Sequence, residues 1–200
     1  MKRFEELTDE QLAMLYVKGN NDAFDELLER TQSKLFTYIM FVVRDHDLAD
    51  DIFQETFVKV ICKLQNGQYT DSGKFLFWLT RIAHNCIMDW YRMQQGRHLV
   101  EPNEDNNLEN IQGASVLDID HESEMVNEQV LRDVKKMMEA LPAPQREVVY
   151  MRFYQQLSFK EIAELTGVSI NTSLGRMRYA LINMRHMAKK HQIELALNNY

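Results

Sequence analysis

Residues 157–185 constrain this chain most, because they fit two helices joined by a single tight turn. Ser158 and Glu161 have the S-x-x-E spacing of a capping box, which predicts that a helix begins there. Gly167 suits the positive φ that ends this helix, and the Ser169 hydroxyl suits the N-cap of the next one. The segment therefore predicts a helix-turn-helix, whose second helix enters the DNA major groove. A plain helical hairpin with a polar outer face is the alternative.

The second helix of this motif has contrasting faces on a 3.6-residue period. Its apolar residues predict a buried stripe at Ile170, Leu174, Met177, Leu181 and Met184. The other sides are polar and basic, and Arg can fork onto guanine while Asn pairs with adenine. Gly175 costs a helix about 1 kcal/mol relative to Ala, which suggests close approach of a sugar-phosphate backbone. Candidate DNA contacts in the motif (residues 159–178) and beside it are Ser169, Asn171, Thr172, Gly175, Arg176, Arg178 and Tyr179.

The composition predicts an all-α protein of two small helical domains. The chain has 200 residues, 45% of them hydrophobic, with three prolines and seven glycines. That apolar content suffices for folded cores. The longest apolar run, residues 38–43, is far too short to cross a bilayer, and the acidic first ten residues do not resemble a signal peptide. We therefore expect a cytoplasmic location without direct membrane insertion.

The sequence offers no recognisable catalytic constellation. Cys62 and Cys86 stand without a second cysteine or a histidine at ligand spacing, and the common phosphate-binding and hydrolase motifs are missing. We therefore predict a protein that is not an enzyme, with no catalytic residues, no metal and no cofactor. An enzyme with a DNA-binding appendage is an alternative that would need such a constellation.

The net charge of −7 is unevenly distributed along the chain. Residues 1–95 carry a balance of −4, residues 96–128 one of −8 and residues 129–200 one of +5. The negative total predicts weak independent binding to duplex DNA, because little can be gained from counterion release. The acidic middle predicts a flexible linker over residues 96–126. Simple solubility also explains its charge, although an acidic tether can occupy a basic channel.

Residues 22–43 and 47–64 repeat apolar residues at helical spacing, which predicts two amphipathic helices with a break near residues 44–47. The second helix is expected to bury Phe53, Phe57, Val60 and Leu64. Its other side carries a compact polar patch, the acidic ridge, formed by Asp50, Asp51, Gln54 and Glu55. Partner docking, interaction with the helix dipole and simple solvation are all open explanations for this ridge.

A third amphipathic helix is predicted over residues 75–93, with a buried face formed by Phe75, Leu79, Ile82, Cys86 and Trp90. Another face presents Arg81, Asn85, Met88 and Arg92. Aromatic residues interleaved with cations suit unpaired bases, since each stacked base contributes about 1–3 kcal/mol. Core packing is expected for Phe75, Phe77 and Trp90, whereas base contacts are expected for Tyr69, Trp78 and Asn85.

Three ordered blocks resemble bacterial RNA polymerase sigma factors of the extracytoplasmic-function group, within the sigma-70 family. They are D-x-A-D-D-x-x-Q-E-T-F at residues 47–57, F-x-x-W-L-x-R-I-A-x-N at residues 75–85, and the helix-turn-helix. The resemblance covers nearly the whole chain, and three blocks in order are far more specific than one. It implies a sigma-2-like helical bundle over residues 8–95 and a sigma-4-like domain over residues 127–192.

The resemblance implies that the chain directs core RNA polymerase to promoters as a specificity subunit. Docking on the polymerase is implied for Asp50, Asp51, Gln54, Glu55 and Phe57. A loop at residues 69–75 would receive a flipped base of the promoter minus-10 element, and the implied contacts to that element are Tyr69, Ser72, Lys74, Trp78, Arg81, Asn85 and Arg92. The helix-turn-helix residues would contact the minus-35 element, and the acidic linker would lie in the polymerase cleft.

The resemblance also implies an anti-sigma factor as a partner, because members of the group are usually held inactive by one. The chain departs from the family at residues 172–176, which read T-S-L-G-R where members commonly have T-V-K-S-R. It lacks a lysine that helps to bind phosphate, so core polymerase is expected to supply much of the grip. A dimeric helix-turn-helix regulator that binds a palindromic operator without polymerase is the alternative function.

Overall fold

A computed structural model describes residues 4–70, 73–98 and 125–190. These residues form eight α-helices and no strand, which confirms the predicted all-α class. The chain divides into two compact units. Unit 1 contains α1 (Asp9–Val17), α2 (Asn21–Val43), α3 (His46–Gln65) and α4 (Phe75–His98). Unit 2 contains α5 (Met125–Glu139), α6 (Ala143–Phe153), α7 (Phe159–Thr166) and α8 (Ile170–Lys190).

Polar caps set the beginnings of the first three helices. Thr8 forms a capping box with Gln11 at the start of α1, and the Asn20 side chain accepts a hydrogen bond from the backbone of α2. The predicted break between α2 and α3 is confirmed, since Arg44 adopts a left-handed φ of 61° and Asp45 caps α3. Each cap satisfies a backbone N–H group that has no partner inside its own helix.

The core of unit 1 lies where α2 packs against α1, α3 and α4. Buried threonines in this core keep their hydroxyl groups satisfied within their own helices, as Thr31 donates to the Leu27 carbonyl and Thr56 to the Ile52 carbonyl, both at 2.7 Å. The largest fully buried side chains of this unit are Leu12, Leu27, Leu35, Tyr38, Ile39, Ile52, Leu64, Phe75, Leu79 and Ile87. These apolar contacts hold α3 and α4 side by side and so position their outer faces.

The N-terminal segment of unit 1 is fastened to α2 by one arginine. The Arg30 guanidinium donates to the Leu7 and Phe4 carbonyls, each at 2.7 Å, and to the Glu26 carboxylate at 2.6 Å. It also lies 3.6 Å from the Asp9 carboxylate. Because these contacts join α2 both to the segment before α1 and to the first residue of α1, they hold α1 in a defined position on the bundle.

In unit 2, α8 packs against α5, α6 and α7. Ile162, Ala163 and Leu165 of α7 are buried. The buried Arg146 guanidinium donates to the Glu139 carbonyl at 2.8 Å and to the Leu141 carbonyl at 3.0 Å. This arginine therefore ties α6 to the end of α5, a contact that helical periodicity does not predict.

The buried face of α8 differs from the predicted apolar stripe, and that prediction was wrong at three positions. Ile170, Leu174 and Leu181 are 45%, 44% and 41% exposed, and Met184 is half-buried. Met177 is buried as predicted, and the other buried residues of α8 are Ser173, Ala180 and Ala188. At 3.6 residues per turn, this face is rotated by about 40° from the stripe. Three of its four side chains are small, which allows the backbones of packed helices to approach closely.

Helix bounds differ slightly from the predicted domain limits. Helix α4 continues to His98 and α5 begins at Met125, so both extend into the residues 96–126 for which a linker is predicted. The remainder of that segment lies outside the described residues. Among the described helices, none is both long and apolar enough to cross a membrane.

Candidate nucleic-acid interface

The acidic ridge lies on the outer side of α3. Asp51, Gln54 and Glu55 are exposed, and Asp50 is half-buried. The Asp50 carboxylate lies 3.1 Å from Nδ1 of His46, one turn earlier. All four side chains are at helical spacings that place them on one accessible surface, and three of them are carboxylates.

Phe57 lies beside the ridge but belongs partly to the core. Its ring packs edge-on against Phe53 at 4.9 Å and against Phe24 of α2 at 6.5 Å between centroids. Both Phe53 and Phe57 are half-buried, although full burial was expected, whereas Val60 is buried as predicted. The structure therefore gives Phe57 a bracing contact between α2 and α3 together with a partly accessible ring edge.

An ion-pair chain, which the sequence analysis missed, connects the ridge to α4. Lys59 Nζ lies 2.7 Å from the Glu55 carboxylate and 3.8 Å from that of Asp89, and Asp89 accepts a hydrogen bond from Arg92 at 2.6 Å. The hydrogen bond that Lys59 donates to the Glu55 carboxylate raises the pKa of the Lys59 ammonium, so this cation stays charged at neutral pH. In this structure, the Asp89 carboxylate is hydrogen-bonded to the guanidinium of Arg92, a residue that is predicted to bind DNA.

The loop before α4 ends in an aromatic cluster formed by Tyr69, Phe75 and Trp78. Centroid separations are 5.5 Å for Tyr69–Phe75, 4.9 Å for Tyr69–Trp78 and 5.6 Å for Phe75–Trp78. Tyr69, for which a base contact is predicted, is only 7% exposed in this structure. Trp78 is half-buried and keeps an accessible edge. Tyr69 thus packs against Trp78 and is covered by tertiary contacts.

Other predicted residues of this loop have different outcomes. Lys74 is exposed, with Nζ 6.0 Å from the centre of the half-buried Phe77 ring, close enough for a weak cation–π contact. Ser72 lies outside the described residues. Of the expected core aromatics, Phe75 is 1% exposed, whereas Trp90 is half-buried against Tyr91.

Helix α4 carries a polar stripe on the side that faces away from the core. Arg81, Asn85 and Arg92 are exposed at intervals of four and seven residues, with Met88 half-buried between them. Trp78 lies one turn before Arg81, near the same side of the helix. The structure therefore brings an indole edge, two guanidinium groups and one carboxamide to one face of unit 1.

The helix-turn-helix has the local geometry that the sequence predicts. The Ser158 backbone N–H donates to the Glu161 carboxylate at 2.9 Å, and Gly167 adopts a φ of 67°. The Ser169 hydroxyl accepts from the Thr172 backbone N–H at 3.0 Å and so caps α8. These bonds fix the turn and the direction from which α8 begins.

The first turns of α8 present the expected polar residues to the surface. Asn171, Thr172 and Arg178 are exposed, Tyr179 is 61% exposed, and Arg176 is half-buried. A Cβ atom on Gly175 would meet no atom of the chain within 4 Å. Because the space above Gly175 is open within the described structure, packing inside unit 2 does not require a glycine there.

Unit 2 also has an open apolar groove of about 510 Å³ that the sequence analysis missed. Phe159, Leu174 and Ile182 line it, together with Arg178 and Arg185. Arg152 reaches over the Phe159 ring at 5.4 Å. Leu174 and Leu181 were expected in the core, so their exposure became visible only in the packed domain.

The described residues present no group of three or more His, Cys, Asp or Glu side chains placed to hold a metal ion. Cys62 is exposed on α3 and Cys86 is buried in α4. Within this part of the chain, the candidate functional surfaces are exposed polar faces of helices. This arrangement is typical of a helical DNA-binding adaptor with two modules.

Comparisons with known proteins agree with this class. The family model described as "Sigma-70 region 2" matches residues 27–97, and that described as "Sigma-70, region 4" matches residues 131–174. The ECF RNA polymerase sigma-E factor of Haemophilus influenzae is 30% identical over 178 residues, which cover 86% of this chain and 91% of that protein. The factor of the same name from Escherichia coli K12 is also 30% identical, with 86% and 90% covered.

A solved structure shares the fold. The sigma factor RpoE of Bartonella quintana, crystallised with the anti-sigma factor NepR, aligns with a TM-score of 0.61 at 22% identity, covering 83% of this chain and 96% of that one. This result shows the shared fold, and the sequence relatives establish the class suggested by the geometry. The chain belongs to the extracytoplasmic-function family of RNA polymerase sigma factors.

Proposed function

We propose that this sigma factor binds core RNA polymerase through unit 1 and directs it to promoters, with unit 1 reading the minus-10 element and unit 2 the minus-35 element. Family membership over 86% of the chain carries this proposal. The working domain limits are residues 8–95 and 127–192, with an acidic linker over residues 96–126. The chain acts as a specificity subunit without chemistry of its own, and its place of action is the cytoplasm.

The acidic ridge is the proposed docking surface for the polymerase. Its exposed side chains Asp51, Gln54 and Glu55 offer two carboxylates and an amide to basic side chains of a partner. Asp50 extends the charged surface, and Phe57 contributes an apolar edge beside it. Charged groups on an exposed ridge accelerate association and set its register, and burial in an interface strengthens their effect.

Recognition and melting of the minus-10 element are assigned to the aromatic cluster and the polar stripe of α4. A base leaves the stack at a cost of a few kcal/mol, and this cost is offset only if the pocket accepts the base. Trp78 offers a stacking edge, Asn85 offers a donor and an acceptor, and Arg81 and Arg92 attract the strand. Opening therefore depends on the recognised base, and no nucleotide hydrolysis is required of this chain.

The minus-35 element is assigned to the start of α8. Ser169 and Thr172 fix the helix N-terminus, from which Asn171, Arg176 and Arg178 reach the groove. Tyr179 adds a large exposed ring, and Gly175 permits close approach of the backbone. Unit 2 contributes modest affinity on its own, because the chain is negative overall and lacks the lysine common at this helix in the family.

An anti-sigma factor is the proposed regulatory partner. The Bartonella quintana structure contains a sigma factor of the same fold bound to one. The apolar groove of unit 2, whose lining includes Arg178 and Arg185, offers a surface to such a partner. The acidic linker is assigned to the polymerase cleft, where its charge resembles that of a nucleic acid.

A run-off transcription assay with core polymerase tests the function directly. A genomic promoter library is transcribed with core enzyme alone and with core enzyme plus this chain, and new start sites are expected only with the chain. If no start site depends on the chain, the proposed function is wrong. A dimeric regulator would instead bind a palindromic site tightly in the absence of polymerase.

Charge reversal tests the docking surface. The double change Asp51→Lys and Glu55→Lys is expected to weaken binding to core polymerase by at least about tenfold, since two attractive contacts become repulsive. The matched control is Asp25→Lys with Glu29→Lys, which reverses two exposed carboxylates at the same spacing on α2. Fluorescence-detected titration with core enzyme gives both affinities, and equal loss in the two double variants would contradict the assignment.

A further inference from the structure

The N-terminus of α4 receives its cap from another helix. The Phe75 backbone N–H, the first of α4, donates to the Glu10 carboxylate of α1 at 2.9 Å, across 65 residues of sequence. Lys74, which precedes the helix, carries only donors on its side chain and cannot act as a cap acceptor. The carboxylate also lies at the positive end of the α4 dipole. The Glu10 carboxylate thus accepts a hydrogen bond from the first N–H group of α4 and also places a negative charge at the positive end of that helix.

The charge of Glu10 is maintained at this position. Partial burial opposes ionisation, but the hydrogen bonds from the Phe75 backbone, from its own backbone and from Thr8 outweigh burial and lower the pKa below the usual 4.5. The group is therefore a carboxylate throughout the neutral range. Charge-assisted hydrogen bonds of this kind are stronger and more directional than neutral ones.

The capped residue lies inside the aromatic cluster. Phe75 is 1% exposed and contacts Trp78 at 5.6 Å and Tyr69 at 5.5 Å, so the direction in which α4 begins also sets the position of both rings. On the other side, α1 is fastened by the Arg30 bonds to the Phe4 and Leu7 carbonyls. A continuous series of polar contacts therefore runs from α2 through α1 to the start of α4.

We infer that Glu10 is a positioning residue for minus-10 recognition. It acts by fixing the first turn of α4, which carries Trp78. The inference rests on the proposed function of unit 1. Glu10 does not touch DNA in this account. Its effect is to hold Phe75 and the Trp78 indole in the arrangement that accepts an extruded base, so its loss relaxes the geometry of the pocket.

The test compares Glu10→Ala, Glu10→Gln and the control Glu6→Ala, which removes an exposed carboxylate of the same segment. Holoenzymes are assembled with core polymerase and assayed on a promoter obtained from the run-off experiment. Permanganate reactivity at the minus-10 element reports opening. Binding to fork-junction templates, with each base in turn at the extruded position, reports discrimination between bases.

Glu10→Ala is expected to lower both opening and base discrimination by about threefold to tenfold, because a charged cap is lost. Core affinity is expected to stay within about twofold, since the ridge lies on α3. Glu10→Gln retains an oxygen acceptor without the charge and is expected to recover only part of the loss. Glu6→Ala should match the wild type.

Two results would overturn the inference. Wild-type discrimination in Glu10→Ala would show that the cap does not position the pocket. A parallel fall in core affinity, opening and folded fraction would reduce Glu10 to a general contributor to stability. Failure of the wild-type chain to direct initiation would instead refute the proposed function itself, so the two failures are separable.

Discussion

Replacing Asp89 by Asn is expected to strengthen the grip of the holoenzyme on opened promoter DNA. Asp89 accepts a hydrogen bond from Arg92 at 2.6 Å and lies 3.8 Å from Lys59 Nζ. The Arg92 side chain is 74% exposed, so its carboxylate partner competes with a DNA phosphate for the same guanidinium. Asn keeps the shape of Asp and removes the charge, and Lys59 retains its contact with Glu55.

The size of the effect follows from the exposure of the pair. Ion pairs between exposed side chains contribute about 0.2–1 kcal/mol, which corresponds to a factor of about 1.4 to 5 in affinity. Release of Arg92 to one phosphate of a single strand should also steepen the dependence of log affinity on log salt by about 0.7. An increase far beyond fivefold would require a contact other than this pair.

Fluorescence anisotropy with a labelled fork-junction promoter, measured at several salt concentrations, provides both quantities. The matched control is Asp25→Asn, which removes one exposed carboxylate from α2. Arg92→Ala is then made in the wild type and in Asp89→Asn, and it should cost more affinity in the latter. Equal losses in both backgrounds, or a gain equal to that of the control, would refute competition between Asp89 and phosphate.

Three further predictions concern single residues. Asn85→Ala should reduce permanganate reactivity at the minus-10 element more than it reduces core affinity, and unchanged melting would remove Asn85 from the pocket. Ser158→Ala should destabilise unit 2 by about 1 kcal/mol in thermal unfolding, because the capping box is lost, and an unshifted transition would show that the cap is energetically silent. Burial, followed by the nearby Tyr154, raises the pKa of Tyr150 to about 12. The neutral Tyr150 phenol therefore makes its full contribution to the free energy of unfolding below pH 10, and this contribution declines between pH 10 and 12. The stability of Tyr150→Phe should fall less over that range in alkaline denaturation, and parallel curves would contradict the assignment.

Short-range features of this protein follow from its sequence. The capping box of Ser158 and Glu161, the left-handed Gly167 and the Ser169 cap depend on neighbours within three or four residues, so their geometry is legible in the order of residue types. The break after Val43 is local for the same reason, as is the polar stripe of α4. These features determined the fold class and the positions of the candidate surfaces.

Features that depend on packing required the tertiary structure. The sequence pattern of α8 could not reveal that Ser173 and Ala180 face the core while Leu174 and Leu181 are exposed. The buried face of α8 is determined by its packing against α5, α6 and α7. Tyr69 is buried for a similar reason, since its ring packs against Phe75 and Trp78 of α4.

The division follows from the range of the forces involved. Hydrogen bonds between near neighbours are encoded by residue type and spacing, whereas contacts between helices depend on how apolar surfaces fit together. Arg30 reaches Phe4 across 26 residues and Glu10 reaches Phe75 across 65, and no periodic pattern pairs either of them. The sequence by itself therefore determined the helices α2, α3, α4, α7 and α8 and which of their faces carry charge. Only the packed structure decided which helix caps α4, which ion pairs join α3 to α4 and which face of α8 is buried.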